Sequence, residues 1–206
     1  MLDSKGFDLW ADDYDKSVNL CEESDEYPFA GYKDVLGGIY QIIKSGSGKK
    51  ILDIGFGTGI LSKKLYDEGY CVNGMDFSEK MIEIAAAKMP EAVLCRHDFT
   101  KGLPETFKNE RFDAIICTYA IHHLSVSQQT ALLKELKEHL LPQGKILIGD
   151  VAFETMEELD HCREISRDDW DDEEIYPVAE ILRTDFPEVL FQKVSFCAGI
   201  LILPAA

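Results

Sequence analysis

The chemistry-bearing residues of this chain gather at the ends of short apolar runs. The loop Asp53-Ile54-Gly55-Phe56-Gly57-Thr58-Gly59 closes the first of them. Glycines in such a loop allow a tight turn and let a ligand approach the backbone N–H groups at the start of the next helix. Position 60 is Ile, so the loop departs from the dinucleotide fingerprint G-x-G-x-x-G. Taken alone, it also suits a turn with a purely structural role. Asp76 ends the second apolar run, where a carboxylate can accept both hydroxyls of a ribose. Its competing role is that of an acid at a helix start, just before Ser78. Asp98, in Arg96-His97-Asp98-Phe99, lies just past the third run. All three carboxylates fall at carboxyl ends of expected strands, where open α/β sheets bind ligands. Tyr119, His122 and His123 follow the fourth run. Either imidazole is suited to take a proton, with helix capping or core packing as the alternative, and Tyr119 suits pocket lining or plain packing.

These residues need a scaffold, and the pattern from Lys50 onward supplies one. Ile51-Leu52-Asp53-Ile54 reads as a strand, followed by a helix over residues 60–68. Residues 71–75 form a second strand. Ser78 can cap the next helix, whose apolar face carries Met81, Ile82, Ala85, Ala86 and Met89 and which Pro90 stops. Residues 92–95 and 112–118 read as strands three and four. Ser125 and Gln128 have capping-box spacing for a helix that buries Leu132, Leu133, Leu136 and Leu140. Residues 145–153 form a fifth strand, and residues 172–183 a further helical region. Runs 189–196 and 199–203 are joined by too few residues for a helix, so they must pair antiparallel. The expected fold is α/β, a Rossmann-like three-layer sandwich whose seven-stranded sheet is mostly parallel with an antiparallel last strand.

Composition bounds the partners. The chain has 206 residues, 46% hydrophobic and 29% charged, and reads most simply as one domain of ordinary globular balance. A net charge of -17 leaves no basic face for nucleic acid and would be repelled by an anionic membrane. The acidic start does not resemble a signal peptide, and the apolar stretch 196–206 is too short to span a bilayer. The six cysteines lie far apart without metal-ligand or redox spacing, so a reducing cytoplasm and no metal are expected. Residues 1–34 are acidic and aromatic, and the stretch Lys44-Ser45-Gly46-Ser47-Gly48-Lys49-Lys50 reads as a flexible linker. The division expected is a helical lid segment at 1–45 and the main domain at 46–206. A second acidic stretch covers residues 154–174 and reads as lid or solvated surface.

The ordered set of motifs resembles the class I S-adenosylmethionine (SAM)-dependent methyltransferases, in particular compact bacterial members without an assigned substrate. The resemblance runs from about Trp10 to the C-terminus. It implies that Asp53, Gly55, Phe56, Gly57 and Gly59 cradle the methionine part of SAM. It implies that Asp76, followed by Phe77, holds the ribose, and that Asp98 and Phe99 bind the adenine amino group and flank its ring. The stretch from Phe112 through Thr118 to Leu124 resembles the family's fourth-strand motif. Tyr14 resembles an N-terminal tyrosine that many small-molecule methyltransferases fold over SAM, an ordinary packed aromatic being the alternative. One departure is that Gln143-Gly144-Lys145 lacks the family's usual second glycine before strand five. The implied function is methyl transfer to a small molecule, with Tyr119, His122 and His123 on the acceptor side. The rivals are a non-catalytic protein that binds SAM or S-adenosylhomocysteine as a regulator, and a nucleotide-dependent oxidoreductase on the same fold.

Overall fold

The computed structural model describes residues 26–205. The seven expected strands form one sheet: β1 (Lys50–Ile54), β2 (Cys71–Asp76), β3 (Val93–Arg96), β4 (Phe112–Thr118), β5 (Leu140–Val151), β6 (Leu190–Lys193) and β7 (Ala198–Pro204). Their order is β3-β2-β1-β4-β5-β7-β6. Strand β7 is antiparallel to both neighbours, while the pairs from β3 to β5 are parallel. The helices are α1 (Tyr32–Ser45), α2 (Ile60–Asp67), α3 (Glu79–Lys88), α4 (Val126–Glu138), α5 (Met156–Ile165) and α6 (Ala179–Leu182). Strands β1 and β4 are apolar along nearly their whole length because both faces of the sheet are covered.

The local signals act as their chemistry requires. The Ser78 side chain accepts from the Met81 backbone, and the Ser125–Gln128 capping box is complete. On α3, Met81, Ala85 and Met89 turn inward, whereas Ala86 faces solvent.

Four expectations are corrected. Leu140 does not extend α4: it pairs with Phe112 as the first residue of β5, which begins well before Lys145 and carries a register shift opposite Phe112 and Ala114. The helix expected over 172–183 shrinks to α6, because Pro177 interrupts it. A full helix instead forms inside the acidic stretch, where Thr155 caps α5 by accepting from the Glu158 backbone. The Gly/Ser linker is tied down: the Lys49 and Lys50 N–H groups both donate to Asp113 Oδ2 at 2.9 Å. A Cβ on Gly48 would lie 2.1 Å from Asp113, so glycine is required for that approach.

Helix α1 is the other half of this tie. Val35, Leu36, Ile39 and Ile43 are buried in one cluster with Ile51, Ile116, Leu147 and Ile200. Its side chains come so near β5 that a Cβ on Gly149 would lie 2.3 Å from Val35 Cγ1 and 2.8 Å from Ile39 Cδ1. Residues 32–45 are thus part of one layer of the sandwich, and Ile39 in that helix is fully buried. Ile39→Ala is expected to cost about 2–5 kcal/mol of unfolding free energy in urea titrations, as large-to-small changes in packed cores do. A loss under 1 kcal/mol would mean that α1 is only loosely docked.

Candidate active site

Strand order reverses between β1 and β4: from β1 the chain winds outward to β2, and from β4 it winds the other way to β5. That reversal leaves a crevice beyond the carboxyl ends of the strands. A cleft of about 280 Å³ occupies it. Of the residues picked from sequence, Asp53, Gly55, Phe56, Gly57, Asp76, Phe77, Phe99, Thr118, Tyr119, His122 and His123 all line this cleft. Gly59 does not; its Cα packs against α3, where a Cβ would meet Met89 at 3.0 Å. Asp98 does not either. It caps the short turn Phe99–Lys101, accepting from the Thr100 N–H and hydroxyl at 3.0 and 2.6 Å, with Lys101 3.2 Å away. Burial alone would raise its pKa, but these donors hold it below the usual carboxylate value. Tyr14 lies outside the described residues.

The glycine loop is shaped for close approach. Gly55 and Gly57 both have positive φ, 67° and 55°, a region that side chains disfavour. A Cβ on Gly55 would collide with Ala120 at 2.7 Å, whereas one on Gly57 would meet nothing within 4 Å and would project into open space. Asp76 latches this loop to the next helix: Oδ2 accepts from Gly57 N and Oδ1 from Ser78 N, both at 2.9 Å.

Asp53 lies deeper. Its Oδ2 accepts from Ser62 at 2.6 Å, while Oδ1 is buried and has no hydrogen-bond partner among the described residues. Burial pushes its pKa up to about 7, against the lowering effect of Ser62 and with a smaller push from Asp76.

The opposite end of the cleft is aromatic and imidazole-lined. Tyr119 sits directly after β4 at φ 49°, a strained angle for a bulky residue. Its ring packs on Tyr32 and Phe29 with centroids 4.9 and 5.8 Å apart. His122 is buried, and its Nδ1 is 2.7 Å from Asp150 Oδ1. That contact turns Nε2 toward Glu174, whose Oε1 is 3.5 Å away. Burial opposes protonation of His122, but the Asp150 charge and hydrogen bond outweigh it and raise the pKa. Burial lowers that of His123 to about 4, with the neighbouring His122 adding to the effect.

Sequence reasoning missed Pro28, Phe29, Tyr32, Leu36 and Glu174 in this lining. The aromatic stretch Tyr27-Pro28-Phe29 was the available signal for the first group. For Glu174 no signal existed, because it ends a run of acids that are otherwise mostly exposed. Beside it lies an aromatic cluster in which Trp170 stacks on Tyr27 at 5.3 Å and meets Tyr176 edge-on at 5.1 Å, and the Tyr176 hydroxyl donates to Glu174 Oε2 at 2.5 Å.

Comparison with known proteins now fits this geometry. A family model described as a methyltransferase domain matches residues 51–144. An uncharacterized methyltransferase of Oceanobacillus iheyensis is 32% identical over 198 residues, spanning 92% of this chain and 89% of the relative. The chain belongs to the class I SAM-dependent methyltransferases. A second uncharacterized methyltransferase, from Geobacillus kaustophilus, is 34% identical over 202 residues, covering 94% and 88% of the two chains. Among solved structures, magnesium protoporphyrin IX methyltransferase of Synechocystis, with bound S-adenosylhomocysteine, has a TM-score of 0.67 at 18% identity, covering 86% and 85%. An N-methyltransferase of Bradyrhizobium japonicum, also in complex with S-adenosylhomocysteine, has a TM-score of 0.63 at 14% identity, covering 88% and 89%. These two structural likenesses speak to fold alone. As a methyltransferase, the enzyme uses SAM as its methyl donor.

The raised Asp53 pKa has a consequence for stability. A carboxyl whose folded pKa exceeds its unfolded value of 3.8 stabilises the fold fully below that value, and loses the contribution as pH rises through about 7. The stability of the parent relative to Asp53→Asn is therefore expected to fall between pH 5 and pH 8, by on the order of a few kcal/mol. Urea unfolding of both proteins at pH 5, 6.5 and 8 reads this difference; a flat difference would mean that Asp53 keeps its charge throughout.

Proposed function

We propose that the enzyme methylates a small molecule bound at the aromatic and imidazole end of the cleft, with the segment before α1 acting as a lid. The observation that carries this reading is the division of one cleft into two chemically distinct ends. The end at β1 and β2 offers carboxylates and bare backbone, and the end past β4 offers aromatic rings, His122, His123 and Glu174.

The first end suits SAM. The buried, unpartnered Asp53 Oδ1 is a site for an ammonium group, and ligand binding there would satisfy it. The missing Cβ of Gly57 leaves room beside a backbone that lies near the start of α2. Asp76 stands at the end of β2 as the acceptor for ribose hydroxyls, with Phe77 and Phe99 as apolar walls for a ring. Thr118 marks the boundary between the two ends. SAM would supply a sulfonium-bound methyl group, which the acceptor takes in line as the carbon–sulfur bond breaks and S-adenosylhomocysteine leaves. The protein's part is to hold the two partners in line and keep water out, which exploits effective concentration more than acid–base chemistry. Phe29, Tyr32 and Tyr119 perform the second task at the acceptor end.

The small-molecule reading draws support from charge. With 38 acidic against 21 basic residues, a neutral or cationic acceptor is favoured over a phosphate polymer. Among the described residues no helix is long and apolar enough to cross a membrane. The five described cysteines are all free, in keeping with a cytoplasmic setting.

Turnover on a panel of small metabolites, read as release of S-adenosylhomocysteine, tests the reaction. Turnover only on a macromolecule would overturn the small-molecule reading. Gly57→Val is expected to abolish SAM binding in calorimetry while the protein stays folded, since the branched side chain fills the space next to Asp76. A folded variant that binds SAM normally removes the glycine loop from the site. For the lid, hydrogen exchange of residues 5–25 should slow when SAM is added. Full protection before SAM, unchanged afterwards, would make the segment a fixed part of the body.

A further inference from the structure

We propose that His122, His123 and Glu174 form a site for one divalent transition-metal ion at the aromatic and imidazole end of the cleft. The spacing of these residues carries no metal-ligand signature, because Glu174 joins the adjacent histidines only through the fold. One ligand atom from each of the three residues lies within 4.8 Å of the other two. His122 Nε2 and Glu174 Oε1 are already 3.5 Å apart. Ligands about 2.0–2.2 Å from a tetrahedral zinc stand roughly 3.4 Å from each other. That pair therefore has the right separation, and the rest close with a side-chain movement on the order of 1 Å.

Two further observations separate this cluster from a chance meeting of polar groups. The first is that each end ligand is oriented from behind. Asp150 is fully buried and engages His122 Nδ1 at 2.7 Å, which leaves Nε2 to face the cluster. A carboxylate behind a histidine is the recurring arrangement behind metal-bound imidazoles. Tyr176 donates to Glu174 Oε2 at 2.5 Å, leaving Oε1 on the His122 side. The second is that the backbone holds the two loops in register. The Ile175 N–H donates to the His122 carbonyl at 2.8 Å, and Gln129 Nε2 donates to the Ile175 carbonyl at 2.6 Å. Glu174 is thus fixed beside the histidines by its neighbour's main chain, not by its own charge.

Two imidazoles and one carboxylate favour zinc, iron, cobalt or nickel over magnesium or calcium, which prefer all-oxygen shells. Three protein ligands leave coordination positions open, as catalytic sites do and structural sites do not. All three residues line the cleft, so the open positions face the space where we place the acceptor. The ligand class implied is a small molecule with a hydroxyl, thiol or amine that coordinates the metal directly. The ion binds whether or not that acceptor is present.

The test uses the untagged full-length protein, freed of metal by a chelator and titrated with Co2+, Zn2+ and Mg2+. One equivalent of Co2+ is expected to give the visible absorption of a nitrogen- and oxygen-ligated site of low coordination number, which Zn2+ abolishes and Mg2+ does not. His123→Ala and Glu174→Gln should each weaken Co2+ binding at least tenfold, and Asp150→Asn by about 10–100-fold. Glu174→Gln preserves shape, so it remains decisive if His123→Ala loosens the fold. Absent stoichiometric Co2+ binding, or equal affinity in the parent and Glu174→Gln, would overturn the site. SAM affinity measured on the same samples keeps the two ideas apart: normal SAM binding without a metal site sinks this inference and leaves the methyltransferase reading intact.

Discussion

The cleft depends on the parallel pairing of β1 with β4, from Ile51 beside Ala114 to Ile54 beside Cys117. These two strands are wound in opposite directions by the connections that follow them, so no helix can cover the seam between their ends. Much of the cleft lining is strung from that seam. The glycine loop leaves β1, Tyr119 and the histidines leave β4, and Asp76 reaches across from β2 to hold the loop by Gly57 N. The pairing is secured by burial on both faces: Ile51, Leu52, Ile54, Ile115 and Ile116 are all fully inside. At about 25 cal/mol per Å² of apolar surface removed from water, such residues dominate the stability that the exposed loops cannot supply.

That stability carries unfavourable features at the site. Asp53 and Asp150 are buried carboxylates, each with one oxygen lacking a hydrogen-bond partner among the described residues. Tyr119 holds a left-handed backbone angle that a bulky side chain resists. A core built for stability alone would contain none of these, since a buried unsatisfied acceptor costs about 1–3 kcal/mol. They cluster at the strand ends, and the strain and the orphaned oxygens mark the part of the sheet that is shaped for a ligand.

How much of this was legible follows from how local each signal is. Strands and capped helices announce themselves within a few residues, which is why β4 could be read to the residue and the Ser125 box in full. The glycine loop and Asp76 could be placed at the cleft from sequence because each rests on consecutive residues or on a strand end. Leu140 was misread because it continues the helical spacing of Leu132, Leu133 and Leu136, and only its pairing with Phe112 reassigns it to β5. The aromatic roof was harder: Phe29 and Tyr32 meet Tyr119 through α1 crossing Gly149, a contact far apart in sequence. Glu174 was illegible, since one acid among the six of residues 168–174 gains its place only through the main-chain tie of Ile175 to His122 and the hydroxyl of Tyr176.

The surface charge and the cleft charge then act in the same direction. A chain at -17 lowers the potential over its whole surface, and the cleft focuses that field through a low-dielectric wall of Phe56, Met81 and Phe99. SAM carries a sulfonium and an ammonium, so a donor bound as proposed above is drawn toward this cleft. The product, S-adenosylhomocysteine, has lost the sulfonium charge and with it part of that attraction. The field thus weakens its hold on the ligand at the moment the methyl group has gone, which favours release of product over release of substrate. Salt should narrow that difference, because screening acts over about 10 Å at 0.1 M ionic strength and reaches the open end of the cleft before the buried carboxylates.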